Sequence, residues 1–378
     1  MGIQKKYSKE CFVLENSEIE IAITKEGGHM APVSFFANET NPVKPYYISP
    51  WQEEPVEVDV PVLRPLRGDL FCFPFGANPS KDNPYSAHGD TATKEWEDGG
   101  ITRREDISTI RLEMGLEQGK GKAVKELSIV EGQSVIYCRD TLYGITTAAP
   151  LGHHAILGVH DGSLAIRTSP IQFGYTNPYD ALYTQGKEYY SLASLQHFDS
   201  LEKVPTVWKT PETTDCRVFP AREGYVDILQ VFQKRSAAPG WISAVCAGGR
   251  YLWFALKNID VLPSTVFWME NHGRYASPWN GRNVCIGLED VCAYFANGYS
   301  DSIRENILTE KEQVKTAAKL TGKPFSVSYI QGVVRIPEGF DAVSDVIFGE
   351  HSITFHAESG KSAAAEVQWD FVFGKNLR

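Results

Sequence analysis

Basic residues are outnumbered in this chain: 37 Lys and Arg stand against 47 Asp and Glu, a formal net charge of −10. That deficit excludes a protein built to hold a phosphate backbone, because such binding draws on a surplus of Lys and Arg. No nucleic-acid partner is expected. No CxxC pair occurs among the seven scattered cysteines, at positions 11, 72, 138, 216, 246, 285 and 292. Their number is odd, and 378 residues need no disulfide framework, so reduced thiols and a cytoplasmic setting are expected. The opening MGIQKKYSKE lacks the apolar stretch of a secretory signal, and Lys6 stands where a myristoylation signal wants Ser or Thr. Long hydrophobic runs are missing too. The longest uncharged stretch, between Asp140 and Asp161, holds Pro150, three Gly and three His and would make a poor membrane span. No Ser/Gly linker, internal repeat or low-complexity tract divides the chain. A soluble protein with a single domain over residues 1–378 is the expectation.

What is present is ordinary globular chemistry, 42% hydrophobic and 22% charged. Aromatics reach 12%, with 8 Trp and 17 Tyr, which suits a pocket for a flat-faced ligand such as a sugar, although most Trp serve a core. Ile19, Ile21 and Ile23 alternate with Glu18, Glu20 and Ala22, the period of a half-buried strand. Strands are predicted likewise over 108–112, 123–130, 134–142, 164–168, 226–232, 242–246, 252–256, 265–269 and 284–288. Many short segments parted by Gly- and Pro-containing turns predict an all-β chain, a large antiparallel sandwich. Ten of the 21 prolines fall between Pro32 and Pro84, which marks a long loop. A helix is predicted over 302–321, where Ser302 with Glu305 and Thr309 with Glu312 match capping boxes and Gly322-Lys323-Pro324 supplies a stop. Strands at 325–330, 332–336, 353–357 and 366–373 would then close or extend the sandwich. Their edges leave a homodimer open.

Four segments carry more chemistry than scaffolding asks for. Leu66–Gly76, LRGDLFCFPFG, sets Arg67 at the mouth of an aromatic run; the ordinary reading is a surface Arg beside a buried loop. His88-Gly89-Asp90-Thr91, followed by Trp96, puts a His where a ligand can approach or where a turn is merely capped. In Gly152–Gly158, GHHAILG, adjacent residues face opposite sides of a strand, so at most one His enters a given cleft. His154 shares a side with Ile156, and His153 with Ala155 and Leu157. With His160 as the sole near partner, no zinc spacing is matched. In the run Trp268–Asp290 the closing strand is the most informative element. Val284, Ile286 and Leu288 read as core. The opposite side carries Cys285, Gly287 and Glu289, two small residues and a carboxylate that leave room for a ligand. Asp290 projects the other way, so it cannot form a facing carboxylate pair with Glu289.

In this order the four segments resemble the aldose 1-epimerase, or galactose mutarotase-like, family, over about three quarters of the chain from Ile19 to Val291. The first two look most like its hexose-6-phosphate mutarotase branch: LRGDLFCFPFG stands for (I/L)RGG…CFPxFG, and HGDTATKEW, His88 to Trp96, for HGFAR…W. His154–Leu157 corresponds to HxYF, and Cys285–Glu289 to the closing strand that ends in a functional Glu. Two positions depart. Asp69 replaces the second Gly of RGG, and Ala92 replaces the Arg that helps bind phosphate in the sugar-phosphate branch. Lys94, Arg103 or Arg104 would have to supply that charge. The family's substrate-binding Asp has no clear match, Asp227 and Asp260 being the candidates.

The resemblance implies a β-super-sandwich that binds a small-molecule sugar and interconverts its α and β anomers, with no metal or organic cofactor. By the same match Glu289 would be the base and His154 the acid. His88 would orient the ring oxygen and Arg67 hold a hydroxyl, with Trp268, Trp279 and Arg282 as stacking and hydroxyl contacts. Rival readings are a carbohydrate-binding or sensing protein without chemistry, a hexose-6-phosphate mutarotase, and a lyase or hydrolase with a second acid or base near Glu289.

Overall fold

The strands predicted by alternation assemble into two large antiparallel sheets. The computed structural model describes residues 3–117, 120–179, 181 and 183–378. A seven-stranded sheet runs in the order His197–Phe198, Ile171–Thr176, Tyr225–Gln233, Ser264–Asn271, Val284–Cys292, Leu151–Gly158, Phe71–Cys72. A nine-stranded sheet runs from Val218–Phe219 through Leu164–Thr168, Gly240–Cys246, Tyr251–Lys257, Phe325–Arg335, Val135–Tyr143, Lys122–Val130 and Ile107–Gly115 to Glu97–Arg104. Ala155, Leu157, Leu229, Phe267, Ile286 and Leu288 of the first pack with Leu127, Ile136, Trp253, Ala255 and Val333 of the second in one fully buried core. A four-stranded sheet from the N-terminal segment, Gln4–Phe35, adds Phe12, Leu14, Ile21 and Ile23 to it. Pro32 lies in the strand Met30–Phe35 at the edge of that sheet, where a missing ladder N–H costs nothing.

The tail does two things. Phe325–Arg335 is one continuous strand rather than two, inserted between Tyr251–Lys257 and Val135–Tyr143. The strands Val343–Phe348, Ser352–Ala357 and Ser362–Glu366 form their own sheet, whose Ile353 and Phe355 cover the outer face of the nine-stranded sheet at Tyr137, Leu252 and Phe254. Two expectations are corrected. The strand predicted at 366–373 ends at Glu366, and Trp369–Phe373 is a short 3-10 helix. The helix predicted at 302–321 is split into Tyr299–Ile303 and Ile307–Lys311. The second of these is capped by Asn306, whose side chain accepts from the Leu308 and Thr309 amides. Ala318–Thr321 is instead a strand paired with Thr146–Ala149. A partner 170 residues upstream overrides local helix preference.

A buried ionic network runs between the sheets. Lys257 Nζ sits 2.5 Å from Asp290 Oδ1 and donates to the Ser264 carbonyl and Thr265 Oγ1. Tyr329 and Thr265 also donate to Asp290. Lys125 pairs with Asp140 at 2.8 Å, and His153 lies 2.9 Å from Asp69 and 3.5 Å from Asp140 while stacking on Tyr329. Asp69, where the sequence pattern wants Gly, is therefore the counter-group of His153. These side chains alternate along their strands with the ones described next, which face the opposite way.

Candidate functional site

His154 and Glu289 are directly opposite residues on neighbouring strands. Both point to the face of the seven-stranded sheet turned away from the nine-stranded sheet, with Ile156 and Cys285. Cross-strand neighbours on one face are within reach of each other, and His154 Nε2 lies 3.2 Å from Glu289 Oε1. Both are buried, at 5% and 2% exposure. Gly287 makes the space between them. A Cβ there would stand 2.6 Å from Glu289 Oε1, 3.1 Å from the Trp268 ring and 3.3 Å from the His154 ring.

The Pro-rich loop builds the opposite wall. Gly68 has a φ of +53°, and a Cβ there would meet the Met30 carbonyl at 1.9 Å, so the turn that follows Arg67 requires glycine. Residues 68–70 then run beside the His154 strand, with the His154 amide bonded to the Leu70 carbonyl. His88 is presented on a positive φ of 60°, its ring 5.0 Å from both Phe75 and His154. Trp268 stands edge-on to His154 at 5.8 Å and to Trp279 at 5.6 Å. Val62, Leu63, Leu66, Ile228, Val266 and Ala296 complete a small cavity of about 90 Å³ that opens to solvent.

The electrostatics favour uncharged forms. Burial pushes the Glu289 carboxyl well above the usual carboxylate range, with Arg274 opposing it. Burial, and after it the neighbouring His88, pulls the His154 imidazole well below its usual range. Burial and then Arg274 hold His88 down at about 4. Both shifts run toward the uncharged imidazole and the uncharged carboxyl. Glu289 Oε2, His154 Nδ1, His88 Nδ1 and Trp268 Nε1 are buried polar atoms without a protein partner among the described residues. Such groups are costly unless something else hydrogen-bonds to them.

Of the seven residues singled out from sequence, Glu289, His154, His88, Trp268 and Trp279 line this one cavity. The other two do not. Arg67 is fully buried and its guanidinium is spent on the carbonyls of Lys6, Tyr7 and Pro65 and on Gln52 Oε1. It ties the Pro-rich loop to the N-terminal sheet and has no donor directed at a ligand. Arg282 forms a two-pronged pair with Glu54 at 2.6 Å and lines a different, larger cleft beside Lys44 and His160. Neither candidate Asp reaches the cavity: Asp227 accepts from Ser191, Leu192 and Arg222, and Asp260 is an exposed partner of Arg235. Arg274 is the lining residue that motif reading missed. Its signal was its place in a turn between Trp268 and Trp279. Among the described residues no group of three His, Cys, Asp or Glu side chains is arranged to hold a metal ion.

No family model and no curated protein matches the chain, but solved structures do. A galactose mutarotase-like protein from Clostridium acetobutylicum is similar with a TM-score of 0.58 at 12% identity, over 88% of this chain and 97% of that one. A candidate aldose 1-epimerase from Klebsiella pneumoniae gives 0.56 at 14% identity, over 88% and 81%. A TPR-domain-containing protein from Parabacteroides distasonis gives 0.54 at 11% identity, over 90% of this chain and 50% of its own. The chain has the mutarotase-like fold, mostly β in antiparallel sheets. Identities this low establish the fold alone, and a fold hosts more than one activity.

Proposed function

We propose that the protein is an isomerase of the aldose 1-epimerase type, with the His154–Glu289 pair as its acid–base machinery. The observation that carries the reading is that contact: an imidazole and a carboxyl 3.2 Å apart in an aromatic-walled cavity whose glycine floor leaves room above them. Anomer exchange needs two proton transfers. The carboxyl proton of Glu289 first passes to His154 Nε2, 3.2 Å away, giving a carboxylate and an imidazolium; Glu289 then takes the proton from the anomeric hydroxyl as the bond from C1 to the ring oxygen breaks. His154 delivers a proton to that ring oxygen, assisted by His88. The open-chain aldehyde turns about C1–C2, and the same steps in reverse close the other anomer. Each positioned acid or base supplies roughly 10²–10⁴ in rate. Trp268 and Trp279 give the sugar an apolar wall, and the unpartnered Nδ1 atoms and indole N–H give it polar contacts.

One observation favours a second reading, a sugar-binding protein without chemistry. Among the described residues no Asp lines the cavity to grip a hydroxyl, and both candidates are used elsewhere. NMR magnetisation transfer between the anomers of a panel of aldoses separates the two. Exchange faster with protein than in buffer supports the isomerase; binding with no faster exchange supports the sensor.

A further inference from the structure

We propose that the larger cleft beside Lys44 and His160 is a second ligand site, one that takes a phosphate monoester of nucleotide size. It is independent of the sugar reading, because it shares no lining residue with the His154–Glu289 cavity. Gly158 and Val284 in its wall lie four and five residues along the strands that carry His154 and Glu289, about 13–17 Å away at the rise of a strand. Its volume is about 940 Å³ against about 90 Å³ for the cavity, at the upper end for small-molecule sites. A monosaccharide would leave most of it to water.

In a chain with a net charge of −10, this cleft gathers donors. Lys44 is exposed in its wall, and among the described residues no carboxylate or carbonyl holds its ammonium. Arg335 gives Nη2 to Glu39 and to the Asn41 carbonyl, three residues from Lys44, while its Nε and Nη1 have no protein acceptor among the described residues. The Gly158 amide is bonded to the Pro45 carbonyl, which sets Lys44 beside the segment that carries His160. Gly248 lies against the same segment: a Cβ there would meet the Asp161 carbonyl at 2.6 Å, so the close approach needs glycine. Among the described residues the successive amides of Gly248 and Gly249 donate to no protein acceptor. Two open amides beside a lysine and an arginine suit the oxygens of a phosphate, which brings about two negative charges. Arg282 adds less, since both its amino groups are occupied by Glu54. Asp161 is the one carboxylate among the described lining residues, and as an acceptor it suits ligand hydroxyls. Pro32, Pro42, Pro50 and Val159 give the body of the ligand an apolar wall, with Tyr7 exposed beside them.

The test is isothermal titration calorimetry of the full chain with adenosine monophosphate (AMP), adenosine, glucose 6-phosphate and inorganic phosphate at fixed ionic strength. AMP should bind saturably. It should bind about tenfold or more tighter than adenosine, which lacks the phosphate, and than the two smaller phosphates, which lack the body. Lys44→Met alters an exposed loop residue, should melt as wild type does, and should weaken AMP binding by about tenfold, the worth of a charged hydrogen bond. Glu289→Gln should bind AMP with wild-type affinity. No saturable binding, adenosine binding as tightly as AMP, or either smaller phosphate binding tighter than AMP would overturn the inference. So would unchanged AMP affinity in Lys44→Met, or lost AMP binding in Glu289→Gln, which would put the ligand in the acid–base cavity. Anomer exchange tests the isomerase reading separately, whichever way this titration falls.

Discussion

Lys257→Met tests whether the ion network behind the site holds the site's two strands. Lys257 is 1% exposed, and its ammonium is satisfied by the Ser264 carbonyl, Thr265 Oγ1 and Asp290 Oδ1. Burial lowers its pKa in spite of Asp290, so the pair is held at a desolvation cost. Methionine replaces most of the stem, so little cavity term arises. What changes is that Asp290, also 1% exposed, keeps its bonds from Thr265 and Tyr329 and loses its cation. Breaking a buried pair on one side costs about 3–5 kcal/mol, a large share of a typical total of about 5–15 kcal/mol. Adding Asp290→Asn removes the uncompensated charge and should recover most of that loss. Urea unfolding of wild type, both single variants and the double gives the coupling directly. A single-variant loss below about 1 kcal/mol, or a double variant no better than Lys257→Met, would refute the argument. Asp290 and Glu289 are adjacent on one strand, so slackening there also threatens the register that sets His154 opposite Glu289.

Gly287→Val should leave the fold in place and weaken sugar binding by about tenfold, the worth of 1–3 kcal/mol of overpacking, because its side chain occupies the space between His154, Trp268 and Glu289; wild-type affinity by fluorescence titration would contradict the cavity assignment. Arg67→Met should cost about 3 kcal/mol or more, since several charged hydrogen bonds go with it, while the folded fraction binds sugar unchanged. Lost binding with unaltered thermal stability would return Arg67 to the site. Burial raises the folded pKa of Glu289, so its share of stability is fully present below the ordinary carboxylate pKa of about 4.3 and is lost as pH rises through the raised value. Glu289→Gln has no proton to lose. It should melt higher than wild type at about pH 8, by ~1.4 kcal/mol for each unit of that rise, and lose its advantage near pH 4. Equal melting curves across that range would show that the carboxyl is not strained.

Legibility in the sequence followed periodicity. Alternation along Val284–Leu288 assigned Ile286 and Leu288 to the core and Gly287 and Glu289 to the other face, and it set Asp290 opposite Glu289, because two-residue periodicity leaves a paired strand no other choice. The same rule separated His154 from His153. It did not reach the ionic network, whose members Asp69, Lys125, Asp140, His153, Lys257 and Asp290 come together from six separate segments of the chain. Arg67 was assigned through the family resemblance and Arg282 as a hydroxyl contact beside the tryptophans, but a guanidinium on a long stem reaches several ångströms either way, and each found its acceptors elsewhere. The helix at 302–321 failed for a related reason: a pairing with Thr146–Ala149 has no trace in the local pattern.

The most direct test of the central claim is anomeric exchange measured by magnetisation transfer on the aldose that binds best, for wild type and Glu289→Gln side by side. The account predicts acceleration by wild type and a loss of about 10²–10⁴ in the variant, with binding retained. Exchange surviving unchanged in Glu289→Gln would contradict it.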